Sequence, residues 1–319
     1  MSNAIPAQRP IATVFGASGF VARYIVGQMT KLGYTVRAAS RHPSKSRHLR
    51  PLGAVGQVEL VYAPIQETDK VAAAIKGAQV VVNCVGILAP SGGTQTFDAT
   101  MATGPAELAQ ICSQAGVDRL IHISALGAAA DAPSAYGRAK AAGEHGVMAA
   151  FPEATILRPS IIFGAEDSFF NRFAAMPFVP LIGGGQTLFQ PVYVADLAQA
   201  LANCITDDLG RGQVFEVAGP EILSFRECME AMCDAMGEAR PFVHVPWGVA
   251  QIMGAFGSLL PTLAPITSDQ VKSLGVDNIQ SGEFAGLEAL GVTATDLRAI
   301  LPTYLDTYRA GGKLGAFHA

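Results

Sequence analysis

Short runs of β-branched and apolar residues recur through the first half of the chain, at Ile11 to Phe15, Thr35 to Ala39, Val58 to Tyr62, Val80 to Val85, Leu120 to Ser124 and Thr155 to Leu157. Between them the apolar positions shift to helical spacing. Val21, Tyr24, Ile25, Gln28, Met29 and Leu32 form one stripe that Gly33 stops, and Leu108, Ile111, Cys112 and Ala115 form another between Pro105 and Gly116. Strands alternating with crossover helices predict an α/β fold with a doubly wound parallel sheet.

After Gly164 the rhythm breaks into connections rich in proline and glycine (Pro177, Pro180, Gly183 to Gly185, Pro191). A strand-like run, Val214 to Val217, precedes a helix opened by Ser224 and Glu227, which are spaced as a capping box. From Thr293 a further amphipathic helix is expected, with Leu297, Ile300, Leu301, Tyr304, Leu305 and Tyr308 at helical spacing. The pattern divides the chain into residues 1–165, the sheet domain, and a smaller mixed lobe over 166–319. Strands near 190–218 are candidates to return to the main sheet. No internal repeat is evident.

Composition narrows the function. The 319 residues carry 22 Lys+Arg against 26 Asp+Glu, a net charge of −4 that disfavours a nucleic-acid partner. Apolar types reach 50% and charged types only 15%, which excludes disorder and points to coverage of part of the surface. Cys84, Cys112, Cys204, Cys228 and Cys233 form no C-x-x-C pair, so no zinc site or disulfide framework is expected and a reducing compartment is. Met1 to Pro10 does not read as a secretory signal.

The chemistry starts at Gly16-Ala-Ser-Gly19-Phe-Val-Ala22, directly after the first strand and at the opening of the first helix. Glycine there permits a tight turn and lets a pyrophosphate reach backbone N–H groups at a positive helix end. The spacing is G-x-x-G-x-x-A, and the last small residue allows the helix to pack on the strand. About 20 residues on, an acid would hold the 2′-hydroxyl of NAD and a cation the 2′-phosphate of NADP. Here there is no acid, and Arg37, Arg41, Lys45, Arg47 and Arg50 follow instead, with Ser40 and Arg41 at the strand end. NADPH is therefore the expected cofactor, with Arg41 its leading phosphate contact and Ser40 and Lys45 beside it. Asn83, Val85 and Gly86 at the end of the fourth strand, and Ser124 at the end of the fifth, belong to the same cleft by geometry. Asn83 is equally well explained as a side chain that satisfies its own loop.

Tyr136 and Lys140 stand one helical turn apart, on one face. A lysine beside a tyrosine lowers the phenol pKa and can hold the nicotinamide ribose, while Ser124 can orient a carbonyl, so Ser124, Tyr136 and Lys140 are the candidate catalytic set.

These residues, with Arg158-Pro159 and Phe163-Gly164, resemble the atypical or extended short-chain dehydrogenase/reductases, a Rossmann family. His48-Leu-Arg-Pro-Leu-Gly53, Gln190-Pro-Val-Tyr-Val194 and Gly286-Leu-Glu-Ala-Leu-Gly291-Val292 are similar to the nucleotide-binding accessory subunits of respiratory complex I, in a bacterial form. The resemblance covers about residues 13 to 300. It implies a tightly held NADPH that stabilises the fold and its docking on complex I subunits near the quinone-reducing arm, peripheral to the cytoplasmic side of a bacterial inner membrane. It also implies nucleotide contacts from Gly16, Ser18, Gly19, Phe20, Arg41, Ser124, Tyr136 and Lys140. Two departures stand out. Where many relatives set an aspartate against the adenine amine, this chain has Tyr62-Ala63-Pro64-Ile65, which leaves apolar contact such as Ile65 or backbone groups. Ser124 and Tyr136 are only 12 positions apart, short for an active triad.

Between Arg240 and Asp269 lie 28 residues without Asp, Glu, Lys or Arg, among them Trp247, Ile252, Met253, Phe256, Leu259, Leu260, Leu263 and Ile266. Pro246, Pro261 and Pro265 cut the run into pieces too short to cross about 30 Å of hydrocarbon. Residues 241–268 thus either cover the nucleotide cleft or touch lipid or a membrane subunit. Two function classes remain open: an NADP(H)-holding accessory or assembly subunit of complex I, or a free-standing NADPH-dependent reductase or epimerase for a hydrophobic carbonyl or quinone-like substrate. A sensor that docks according to NADPH level shares every feature of the first.

Overall fold

The computed structural model describes residues 9–259 and 267–309, with 255–259 described by backbone only. Six expected strands appear as β1 (Ile11–Phe15), β2 (Thr35–Ser40), β3 (Val58–Tyr62), β4 (Val80–Asn83), β5 (Arg119–Ile123) and β6 (Thr155–Pro159). Strand Val214–Val217 joins them from the second half of the chain. All pair in parallel, in the spatial order Val214–Val217, β6, β5, β4, β1, β2, β3. Such a sheet is buried on both faces, which is why every residue of β4 and β5 is buried and β4 opens on three consecutive valines.

Helices α1 (Phe20–Lys31), α2 (Thr68–Ile75), α3 (Gly104–Gln114) and α4 (Ala135–Ala150) cover the two faces. The α1 stripe buries Ile25, Val26 and Met29 against Val14, Val36 and Val82. On the other face Leu108, Ala109 and Cys112 of α3 meet Phe15, Val81 and Leu120. Helix α4 lies so close to the segment before α3 that a Cβ on Gly143 would stand 2.0 Å from the Met101 carbonyl oxygen. Only glycine fits there, and the close approach fixes where α4 carries its polar side chains.

The second half builds a lobe at the carboxyl ends of the strands. Its core gathers Phe163, Phe170, Phe189, Phe225, Met229 and Met232, and the capping box at Ser224 and Glu227 opens helix Phe225–Met236 as expected. Asp167 ties the lobe together by accepting hydrogen bonds from the N–H groups of Gly164 and Phe170 and from the Tyr304 hydroxyl at 2.6 Å.

Three expectations need correction. The helix expected from Thr293 is two short turns, Leu297–Ile300 and Pro302–Leu305, because Pro302 has no N–H to continue the ladder. Its apolar stripe is still buried, at Leu297, Leu301, Tyr304 and Leu305. β4 stops at Asn83 and β5 at Ile123, so Val85 and Ser124 sit in the loops beyond the strands. In the uncharged run, Phe242–Val245 forms a strand paired with Val179–Ile182, and Trp247–Leu259 forms a helix. Among the described residues no helix is long and apolar enough to cross a membrane. Leu260, Leu263 and Ile266, and the side chains of Phe256 and Leu259, lie outside the described residues.

Candidate nucleotide-binding and active site

β1 delivers the chain to a turn held by the Gly19 N–H on the Gly16 carbonyl at 2.9 Å, and Gly19 then caps α1 with no side chain in the way. Gly16 sits at φ +78, and a Cβ on it would lie 2.9 Å from the carbonyl carbon and oxygen of Cys84. The residue is required twice, for its backbone conformation and for the space beside β4. The first-turn N–H groups of α1 open into a cleft with no acidic side chain in that turn, the arrangement that receives a pyrophosphate.

The cleft has two parts. A smaller cavity of about 120 Å³ is lined by Gly16, Ser18, Gly19, Ser40, Arg41, Ile65, Val85 and Gly86 among others, so most of the expected nucleotide contacts converge there. A larger one of about 620 Å³ shares Gly16, Gly19 and Gly86 with it and adds Phe20, Ser124 and Tyr136. Lys45 lines neither, being exposed in the 3-10 stretch Pro43–Leu52. The basic cluster also divides: Arg37 turns away and donates to the carbonyls of Ala74 and Lys76, whereas Arg41 is exposed and its side chain has no partner among the described residues.

Asn83 does what a loop-satisfying side chain would do. Its carbonyl accepts from the Val85 N–H at 3.0 Å, and its amide meets His122 Nδ1 at 3.1 Å. His122 is buried, and that burial, with the Lys140 charge nearby, pushes its pKa down to about 3 and keeps the ring neutral.

In the larger cavity the Ser124 hydroxyl is buried with no hydrogen-bond partner, an orphan that a bound carbonyl or ribose hydroxyl would satisfy. Lys140 lines neither cavity; it is buried and donates from Nζ to the Ile123 carbonyl at 2.9 Å. Burial pushes the Lys140 pKa down to about 8, although Glu144 and Cys84 oppose the shift. Tyr136 packs edge-on against Phe97, and burial pushes its phenol up to about 12. The expected lowering of that pKa by lysine is not seen: burial alone sets the direction, because desolvation penalises the phenolate. Cys84, at the wall, is pushed up to about 12 for the same reason and is no nucleophile at neutral pH.

Two features escaped sequence reasoning. The far wall of the larger cavity is aromatic, with Phe169, Phe173, Phe189 and Phe225. These phenylalanines come from separate segments that only folding assembles. Asp269, the first charge after the uncharged run, caps α4 from across the cleft, accepting from the N–H groups of Ala135 at 2.6 Å and Tyr136 at 3.0 Å. It anchors the C-terminal lobe to the helix that bears Tyr136 and Lys140. Since Ser134 caps the same helix end through the Gly137 N–H, Asp269→Ala is expected to cost about 1 kcal/mol, measured as the change in urea unfolding free energy. An unchanged midpoint would show that the contact contributes nothing.

Comparison with known proteins places this geometry. The NAD(P)H-binding family model matches residues 16–208. The chain is similar to NADH dehydrogenase [ubiquinone] 1 alpha subcomplex subunit 9, mitochondrial, of Arabidopsis thaliana, at 34% identity over 95% of this chain and 79% of that one. It is also similar to the NADH-ubiquinone oxidoreductase 40 kDa subunit, mitochondrial, of Neurospora crassa, at 30% identity over 94% and 80%. In fold it matches the NADPH-dependent quinone oxidoreductase QOR2 of Escherichia coli solved with NADPH, with a TM-score of 0.71 and 16% identity over 92% of this chain and 99% of that one.

Proposed function

This chain belongs to the NAD(P)H-binding, short-chain dehydrogenase/reductase-like family that includes complex I alpha subcomplex subunit 9, and from that premise we propose that it is an NADPH-holding accessory or assembly subunit of respiratory complex I. The nucleotide serves mainly to brace the fold. The observation that carries this reading is the likeness along 95% of the chain to a complex I subunit; within the site, burial raises the pKa of the Tyr136 phenol and Lys140 already donates to a backbone carbonyl. When bound, the nicotinamide would supply a hydride. Gly16, Ser18, Gly19 and Phe20 would hold the pyrophosphate, and Ser124, Tyr136 and Lys140 the nicotinamide end.

Arg41 supports the choice of NADPH over NADH, since its side chain is unpartnered at the mouth of the smaller cavity. Arg41→Ala is expected to weaken NADPH binding about tenfold and to leave NADH within about twofold, measured by calorimetry. Equal losses would remove the phosphate argument. The partners would be complex I subunits near the quinone-reducing arm, with the chain peripheral to the cytoplasmic side of a bacterial inner membrane. Helix Trp247–Leu259, which exposes Trp247, Val249, Ile252 and Met253, would provide an apolar contact with them or with lipid. The native complex purified in gentle detergent should contain this chain with one NADPH found by mass spectrometry. A complex that lacks it would overturn the assignment.

One observation favours a second reading, a free-standing reductase or epimerase. The aromatic-walled cavity reaches the unpartnered Ser124 hydroxyl and is large enough for a hydrophobic carbonyl or quinone-like substrate beside the nicotinamide. On this reading Tyr136→Phe abolishes NADPH consumption and spares nucleotide affinity, and a wild-type chain inert toward a carbonyl and quinone panel would exclude it.

A further inference from the structure

Taking the smaller cavity as the adenosine end of the site, as the proposed function requires, we propose that Gln95 is the residue that recognises the adenine edge. In a doubly wound sheet the half of the cleft over β1, β2 and β3 takes the adenosine, and this cavity lies at the ends of those strands. The loop after β3 offers the base only the apolar side chains of Ala63, Pro64 and Ile65, followed by Gln66.

The remaining polar side chains are mostly committed. Gln66 donates its amide to the Thr94 carbonyl and to Thr100 Oγ1 at 3.1 Å, Ser40 faces Ser46 Oγ at 3.4 Å, and Arg41 stands at the 2′-phosphate position. Gln95 differs. Its side-chain oxygen is buried and accepts no hydrogen bond, a vacancy that costs stability unless a ligand donor fills it.

Its mount is firm as well. The Ser91 N–H donates to the Gln95 carbonyl and the Gln95 N–H to the Gly92 carbonyl, both at 3.1 Å, which closes a tight turn behind the side chain. The Gln66 bond to the Thr94 carbonyl ties that turn to the β3 loop from the other side. A carboxamide presents one acceptor and two donors side by side, which match the exocyclic amine and N7 of adenine in a two-bond contact. Gln95 thereby supplies from the β4 loop the polar contact that the β3 loop lacks.

The test compares NADPH with its analogue in which hypoxanthine replaces adenine, a carbonyl taking the place of the amine. Binding is followed by dihydronicotinamide fluorescence on the intact chain. Gln95→Leu is expected to weaken NADPH about three- to tenfold. On that edge hypoxanthine presents two acceptors, O6 and N7, so the wild-type amide keeps one bond of the two and adenine should be preferred about tenfold. Gln95→Leu should lose that preference together with the affinity. An NADPH-to-analogue ratio unchanged in Gln95→Leu, or NADPH affinity untouched in it, overturns the assignment while leaving the nucleotide reading intact. A wild-type chain that binds neither nucleotide overturns both.

Discussion

Gly16→Ala should weaken NADPH binding by about a hundredfold. Two costs act together. The new Cβ must be carried at φ +78, which costs an ordinary residue about 1 to 2 kcal/mol, and it lands 2.9 Å from the backbone of Cys84, which cannot yield without shifting the end of β4. Relief comes only if the turn swings away, and that movement takes the N–H groups of the first turn of α1 off the pyrophosphate. Each charge-assisted bond lost is worth about 1.5 to 3 kcal/mol, so a hundredfold loss, about 2.7 kcal/mol, is the modest end of the range. Calorimetric titration measures it directly. Affinity retained within threefold would mean that no dinucleotide rests on this turn, and the rest of the functional argument would fall with it.

The second large effect has opposite signs with and without nucleotide. Lys140→Met removes a buried ammonium whose pKa is depressed from 10.5 to about 8, a cost to the charged form of about 3 kcal/mol. It also leaves the Ile123 carbonyl without its donor, which costs about 1 kcal/mol. The nucleotide-free variant should therefore be more stable than the parent at pH 7 by about 2 kcal/mol, measured by urea unfolding. The pH dependence identifies the cause. Between about pH 8 and 10.5 the folded chain has released the Lys140 proton and the unfolded chain still holds it, so the lysine's penalty falls as pH rises through that window. The gap between variant and parent should accordingly be constant below pH 8 and close towards pH 10.5. With NADPH present the order should reverse, because only the parent can hold the ribose. A variant less stable than the parent without nucleotide would show that Lys140 is braced by its surroundings and is not waiting for a ligand.

Much of this could be read along the chain. The β-branched and apolar runs and the helical stripes located six strands of the main sheet, and the glycines at 16 and 19 located the tight turn after β1, because both depend on local backbone preference and on which side chains must avoid water. The cation at 41 was equally legible, since it follows its strand by one residue. The helix after Thr293 was misjudged because its stripe is real and Pro302 breaks the ladder beneath it. The tyrosine was misjudged for a different reason: a spacing of four to a lysine can be read along the chain, whereas the desolvation that raises its pKa depends on packing against residues such as Phe97, some 40 positions away.

The amino-acid order by itself determined the sheet, the glycine turn after its first strand and the candidate set Ser124, Tyr136 and Lys140, since each rests on features within one or two neighbouring elements. Only the tertiary structure decided what those groups can do. It sent Arg37 to the carbonyls of Ala74 and Lys76 and left the Arg41 side chain without a partner among the described residues, buried Lys140 against Ile123, left the Gln95 side-chain carbonyl unpaired, and brought Asp269 onto a helix end more than 130 residues earlier in the chain. Burial and pairing set the charge state and the free hydrogen-bonding capacity of a polar group, and both are properties of everything packed around it, most of which is distant in sequence.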